Sequence, residues 1–267
     1  MILLFPSGVN SVSVLRVKSV CFTVRISLLS EDAIVRQTGA AGHGFTSDRP
    51  DIVVINPASG PGSAANSDYQ NLVNAIRVKQ ATGDTYISTI LGYVATTYSA
   101  KSLATAKAEI DNYNTFYKVD GIFFDEASTD CATTGYYSNL VQYVQDNTKS
   151  PSAQDSTFLN WGTNGPECFL NASSPSPADT FVTFESSYTA YQSYAPLSYM
   201  TKYARDRWYH IVYNVAQSNL ISTLTKSKST RAGYVYVTND VLPNPYDTAP
   251  SPYTTYWQAE VNKVASC

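Results

Sequence analysis

Short apolar runs that end in Asn, Asp or Glu recur along the chain, and each is followed by a longer stretch with helical spacing. The runs cover 51–56 (DIVVIN), 86–93 (YISTILGY), 121–125 (GIFFD), 157–160 (TFLN), 180–185 (TFVTFE), 209–213 (YHIVY) and 233–238 (GYVYVT). Apolar residues follow one another in them with little alternation, which is the pattern of a strand covered on both faces. Between them, 66–80 and 99–116 open on a capping residue and carry apolar positions at i, i+3 and i+4. Stretches 136–146, 218–226 and 252–264 have a similar period.

Seven such strand–helix units run from position 51 onward, and 19–29 (SVCFTVRISLL) is the candidate for an eighth strand. Eight units in 267 residues predict a single (β/α)₈ TIM barrel over 49–267, preceded by an irregular segment, 1–48, in place of a regular first βα unit. The competing arrangement is a doubly wound open sheet. Its nucleotide-binding forms need a phosphate cradle after the first strand, and the turn Asn56-Pro57-Ala58-Ser59-Gly60-Pro61-Gly62 has neither GxGxxG nor GxxxxGK[ST]. Its two prolines also remove amide donors.

Composition narrows the partners. Hydrophobic residues make up 43%, enough to bury a core, while only 15% are charged and the net charge is −3. Without clustered Lys or Arg, neither a nucleic acid nor an anionic membrane surface is an expected partner. No apolar run reaches membrane-spanning length. The 21 tyrosines suit sugars, because a flat ring stacks on a pyranose face while its hydroxyl hydrogen-bonds, although most of them are expected to be core packing. Four cysteines, Cys21, Cys131, Cys168 and Cys267, show no CxxC spacing, and the only histidines are His43 and His210. A metal site is therefore not expected, nor any cofactor, and disulfides in a secreted or cell-wall protein are. Cys131 and Cys168 follow strand ends on adjacent units and are expected to pair. Asn171-Ala172-Ser173 is a weak glycosylation signal. Residues 1–30 are apolar only in short pieces, interrupted by Arg16, Lys18 and Arg25, and do not read as a signal peptide.

Barrel chemistry belongs at the C-terminal strand ends. Here those ends carry Asn56, Tyr93, Asp125, Glu126, Asn160, Glu185, Asn239 and Asp240. A carboxylate leaving an apolar strand is partly desolvated, which raises its pKa and makes it a usable acid. Two carboxyl groups in one cleft are the minimum set for glycoside hydrolysis. Asp125, Glu126 and Glu185 are the catalytic candidates, with Asn56, Tyr93, Asn160, Tyr236, Asn239 and Asp240 as candidate substrate-binding residues. Adjacent strand residues face opposite sides, so one of Asp125 and Glu126 is expected to act and the other to orient it. Asp125 is the favoured nucleophile or stabiliser and Glu185 the favoured proton donor. His210 lies early in its strand and reads as a buried, hydrogen-bonded residue; His43 has no assigned role.

The motifs Asn56-Pro57-Ala58-Ser59-Gly60-Pro61-Gly62, Gly92-Tyr93-Val94-Ala95-Thr96, Gly121-Ile122-Phe123-Phe124-Asp125-Glu126, Phe184-Glu185-Ser186 and Tyr234-Val235-Tyr236-Val237-Thr238 with Asn244-Pro245-Tyr246 resemble the spherulin-4 (spherulation-specific) family. The resemblance implies a (β/α)₈ fold and, from the fungal members, an endo-acting glycosidase of galactosaminogalactan, an α-1,4-linked galactose and N-acetylgalactosamine polysaccharide. It matches Asp125, Glu126 and Glu185 to the family's acids and Asn160 to the Asn of an NPG motif, with Trp161 in place of the proline. Asn239 stands where the family often has Asp. The family's opening aromatic-Tyr-Pro turn resembles Phe5-Pro6-Ser7-Gly8, too far before Asn56, so 1–48 holds either intron-derived sequence or an atypical first unit near 21–29. The expected activity is an endo-glycosidase acting as a monomer on a polysaccharide. The alternative is a non-catalytic carbohydrate-binding wall or spore-coat protein. A polysaccharide deacetylase would want metal ligands that two isolated histidines do not supply.

Overall fold

A computed structural model describes residues 11–15, 52–82, 89–148, 155–171, 176–246, 250 and 253–265. One sheet holds strands β1 (Ser11–Leu15), β2 (Ile52–Asn56), β3 (Thr89–Ala95), β4 (Gly121–Asp125), β5 (Ser156–Asn160), β6 (Thr180–Ser187), β7 (Trp208–Tyr213) and β8 (Tyr234–Val237), in chain order. Strands β2 to β8 are all parallel, each joined to the next by a crossover on the outer face. The sheet curls into a barrel wall and brings β1 back beside β8. Helices α1 (Ser67–Thr82), α2 (Leu103–Phe116), α3 (Thr134–Asn147), α4 (Cys168–Asn171), α5 (Tyr188–Tyr191), α6 (Gln217–Ser229) and α7 (Gln258–Ala265) occupy the crossovers and the C-terminal end.

The stretch 19–29, expected to give an eighth strand, lies outside the described residues, as do Phe5-Pro6-Ser7-Gly8, His43, Cys21 and Cys267. The described strand beside β2 is Ser11–Leu15, and it runs antiparallel, with Ser11 opposite Asn56 and Leu15 opposite Ile52. Its sequence, SVSVL, alternates polar and apolar residues. That is an edge or antiparallel pattern rather than the continuous apolar run of the other strands. The helix expected at 99–116 begins later, at Leu103, where the Ser102 side chain accepts from the Thr105 amide.

Strand alternation divides the core. Outward residues such as Val53, Ile90, Phe124, Leu159 and Phe181 pack under α1 to α3. Inward residues Ile52, Val54, Leu91, Tyr93, Phe123, Phe158, Val182, Tyr209, Ile211, Tyr234 and Tyr236 fill the barrel. Such layered filling makes the interior a packed core and leaves the C-terminal rim as the place for a cleft. Gly92 lets α2 press on the sheet: a Cβ there would come within 2.5 Å of the Tyr113 ring, whose hydroxyl donates to the Ile55 carbonyl.

Candidate active site

Asp125 ends β4 facing inward and is only 6% exposed. Its Oδ2 accepts from the Tyr93 hydroxyl at 2.7 Å and its Oδ1 from Asn160 Nδ2 at 2.7 Å. The same Asn160 nitrogen donates to Glu185 Oε2 at 2.6 Å, and the Tyr246 hydroxyl donates to Glu185 Oε1 at 2.7 Å. The two carboxylates thus share one amide at their inner oxygens, and each holds a tyrosine at its outer oxygen. The bridged oxygens can be no more than 5.3 Å apart, the two bonds laid end to end.

Glu185 faces this cluster because β6 is irregular. Val182 points into the barrel, so strict alternation would turn Phe184 inward as well. The register with β7 shifts between Val182 and Phe184. Phe184 consequently packs outward with Tyr191 and Val212, and Glu185 takes the inward place. Asn160 is fixed as it leaves β5, its Oδ1 accepting from the Gly162 amide at 2.9 Å.

Glu126 departs from expectation. The strand ends at Asp125, and Glu126 takes a left-handed conformation with φ of 50°. Alternation therefore no longer separates the two acids, and both line one cleft together with Tyr98, Asn160, Trp161, Gly162 and Glu185. The cleft has a volume of about 320 Å³, open solvent included. Thr96 fixes the backbone of both acids, its hydroxyl donating to the carbonyls of Asp125 and Glu126. The disulfide Cys131–Cys168, with Cα atoms 5.9 Å apart, joins the loops after β4 and β5, as their positions predicted.

Burial raises the pKa of Asp125, opposed by hydrogen bonds from Tyr93, the Glu126 amide and Asn160. Burial and then the Asp125 charge push Glu185 up to about 7, opposed by the donors Asn160 and Tyr246. Glu126 is raised by partial burial and by Asp125. The chemistry available is a carboxyl that keeps its proton near neutrality beside a second one held by three donors.

Other expected site residues lie apart from this cluster. Asn56 ends β2, but its Oδ1 accepts from the Gly60 amide at 2.8 Å and so closes the Pro-rich turn. Tyr236 is fully buried in the barrel, its ring 6.1 Å from that of Tyr246. Asn239 and Asp240 follow β8 without lining the cleft, and the Asp240 carbonyl accepts from the Asn214 amide. His210 is buried between the Tyr191 and Tyr194 hydroxyls, at 2.7 and 3.2 Å, and burial lowers its pKa to about 3. Sequence reasoning did not single out Tyr246 or Tyr98. Tyr246 was visible only as part of a motif, and Tyr98 lies between the strand run 86–93 and the helix expected at 99–116, in a stretch with no signal of its own. Among the described residues, no group of three His, Cys, Asp or Glu could hold a metal, and no helix is long and apolar enough to cross a membrane.

Fold and rim together define the class: an α/β barrel with paired carboxyl groups at the C-terminal rim of its sheet. The chain belongs to the spherulation-specific family 4, which it matches over residues 44–264. Spherulin-4 of Physarum polycephalum is 28% identical over 193 residues, 70% of this chain and 55% of that protein. The chain thus spans about half the length of this curated relative. The crystal structure of Aspergillus clavatus Sph3 in complex with GalNAc superposes with a TM-score of 0.63 at 24% identity, covering 80% of this chain and 85% of that one. An endo-β-N-acetylglucosaminidase of Cordyceps militaris gives a TM-score of 0.50 at 12% identity, covering 85% of this chain and 87% of that one. Both likenesses are likenesses of fold.

Proposed function

We propose that the chain is an extracellular, endo-acting glycoside hydrolase of an aminosugar-containing polysaccharide, cleaving α-1,4 N-acetylgalactosamine linkages such as those of galactosaminogalactan. The observation that carries this reading is the Asn160 bridge between Asp125 and Glu185. Burying two coupled carboxyl groups costs folding energy and adds little to the binding of a neutral sugar. A protein that only binds carbohydrate would do so with aromatics and amides. The arrangement is economical for catalysis, where one group must donate a proton and the other must carry charge.

In this reading Glu185, protonated up to about pH 7, gives its proton to the leaving glycosidic oxygen while that oxygen's bond to the anomeric carbon breaks. The Asp125 carboxylate attacks the same carbon and forms a glycosyl–enzyme ester. Water, deprotonated by Glu185, then displaces Asp125 and restores both groups. The inner oxygens of the pair, bridged within 5.3 Å, are close enough for this double displacement, in which the two carboxyl groups work about 5–5.5 Å apart. Glu126 orients Asp125 or the sugar. The GalNAc bound to Sph3 of Aspergillus clavatus, together with the shared family, favours N-acetylgalactosamine as the sugar. The disulfide fits an extracellular site.

The test is to incubate the purified chain with galactosaminogalactan, chitin and an α-glucan and to follow soluble oligosaccharides by mass spectrometry. Release of N-acetylhexosamine oligomers from the first polymer alone supports the proposal. Binding to that polymer without release supports the carbohydrate-binding alternative.

A further inference from the structure

Between β3 and α2 the backbone is strained where it meets the carboxyl groups of the rim. Thr97, Tyr98 and Ser99 have φ of 50°, 53° and 72°, three successive left-handed residues with no glycine among them. A bulky residue in that region is a true outlier, and strain of this kind persists only where its surroundings enforce it. Here they do. The Tyr98 amide donates to the Glu126 carbonyl at 2.7 Å, the Ala100 amide to Thr97, and the Lys101 amide to Thr96. Glu126, the acceptor, is itself left-handed. Yet none of the three strained residues is buried, and Tyr98 is 49% exposed while lining the cleft that holds Asp125, Glu126 and Glu185. Two strained rim segments are bonded to each other: Thr97 gives Glu126 its amide and its hydroxyl, and Tyr98 is left as an open aromatic ring beside the carboxylates.

We infer that Tyr98 is a stacking platform for a sugar ring, forming a subsite on the β3–β4 side of the cleft next to the Asp125–Glu185 pair. The inference rests on the glycosidase reading and assigns it a place on the rim. The cleft lining follows strand order, with Tyr98 after β3, Asp125 and Glu126 after β4, Asn160 to Gly162 after β5, and Glu185 on β6. Tyr98 and Glu185 thus come from the first and last strands of that lining, which suits a polymer laid across the rim. The other aromatic of the lining, Trp161, cannot serve in the same way: it is buried and stacked on Phe181 at 4.3 Å. Stacking uses the apolar face of a pyranose and asks nothing of the phenol hydroxyl, so Phe should substitute for Tyr98 and a small residue should not.

The experiment compares wild type with Tyr98→Gly and Tyr98→Phe, measuring KM and kcat on galactosaminogalactan and melting temperature. In parallel, a Tyr98→Gly change is added to an Asp125→Asn protein, and binding of an α-1,4 N-acetylgalactosamine oligosaccharide is measured by calorimetry. Tyr98→Gly should raise KM and weaken binding about three- to ten-fold, the scale of one aromatic stacking contact. Its melting temperature should be unchanged or higher, because glycine accepts the left-handed backbone. Tyr98→Phe should stay within about two-fold of wild type. Unchanged KM and affinity in Tyr98→Gly, with Asp125→Asn inactive, overturn the platform and leave the glycosidase reading standing. A lower melting temperature with unaltered affinity would make Tyr98 structural. A wild type that neither binds nor cleaves the polymer overturns both.

Discussion

Replacing Tyr246 by Phe removes one hydroxyl and keeps the ring that packs against Tyr236. The lost group is the donor to Glu185 Oε1, leaving Asn160 as the remaining side-chain donor on the other oxygen. A hydrogen bond to a charged group contributes about 1.5–3 kcal/mol, and it favours the ionised carboxylate over the acid. At about 1.4 kcal/mol per pH unit, its loss should raise the Glu185 pKa from about 7 by about one pH unit, allowing for partial replacement by cleft water. Glu185 acts here as a proton donor, so activity falls as pH rises through its pKa. The alkaline limb of kcat/KM should therefore move upward by about one pH unit in Tyr246→Phe. The assay is initial-rate reducing-sugar release between pH 4 and 9, with circular dichroism to confirm the fold. A limb that stays in place, or moves to lower pH with the fold intact, would refute both the bond's role and the assignment of Glu185 as donor.

Glu185 should also shape stability. Its folded pKa is raised, so its contribution is fully present below the unfolded value of about 4.5 and is lost as pH rises through about 7. The shift corresponds to roughly 3 kcal/mol, and screening by water in the open cleft brings the expected loss to about 1–2 kcal/mol. Urea unfolding at pH 5 and pH 8 should show that loss in wild type and a flatter response in Glu185→Gln; equal responses would refute it. Replacing both Cys131 and Cys168 by Ser opens a loop closed across 37 positions and should cost about 3–4 kcal/mol in urea unfolding, with a change below about 1 kcal/mol as the contrary result.

The strands were legible because a strand covered on both faces needs an unbroken apolar run, and seven such runs are written plainly in the chain. Asp125 and Glu185 were legible as strand-end acids. That Glu185 and not Phe184 faces inward was not, because the shift in β6 depends on pairing with β7 rather than on any local signal. The fate of Asn56 was hidden for a similar reason: a strand-end Asn can face a ligand or close its own turn, and the Gly60 amide decides for the turn. Glu126 looked like the partner facing away from Asp125, since alternation predicts positions only while the strand lasts. Tyr246 reaches Glu185 from a loop after β8, and Tyr98 lies just before the helix expected at 99–116, in a turn whose geometry no local signal announces. What the chain's pattern could not convey in each case was a non-repeating backbone geometry imposed by distant neighbours.

The account's central claim is that Asp125 and Glu185 together perform the hydrolysis. The most direct measurement is kcat on galactosaminogalactan for Asp125→Asn and Glu185→Gln, two replacements of nearly the same shape, alongside circular dichroism and melting temperature. The account predicts a folded protein and a fall in kcat of several orders of magnitude for each, since Asp125 is the group that attacks the anomeric carbon and Glu185 the one that protonates the leaving oxygen. Near-normal turnover by either folded variant would contradict it and return that carboxyl group to a structural role.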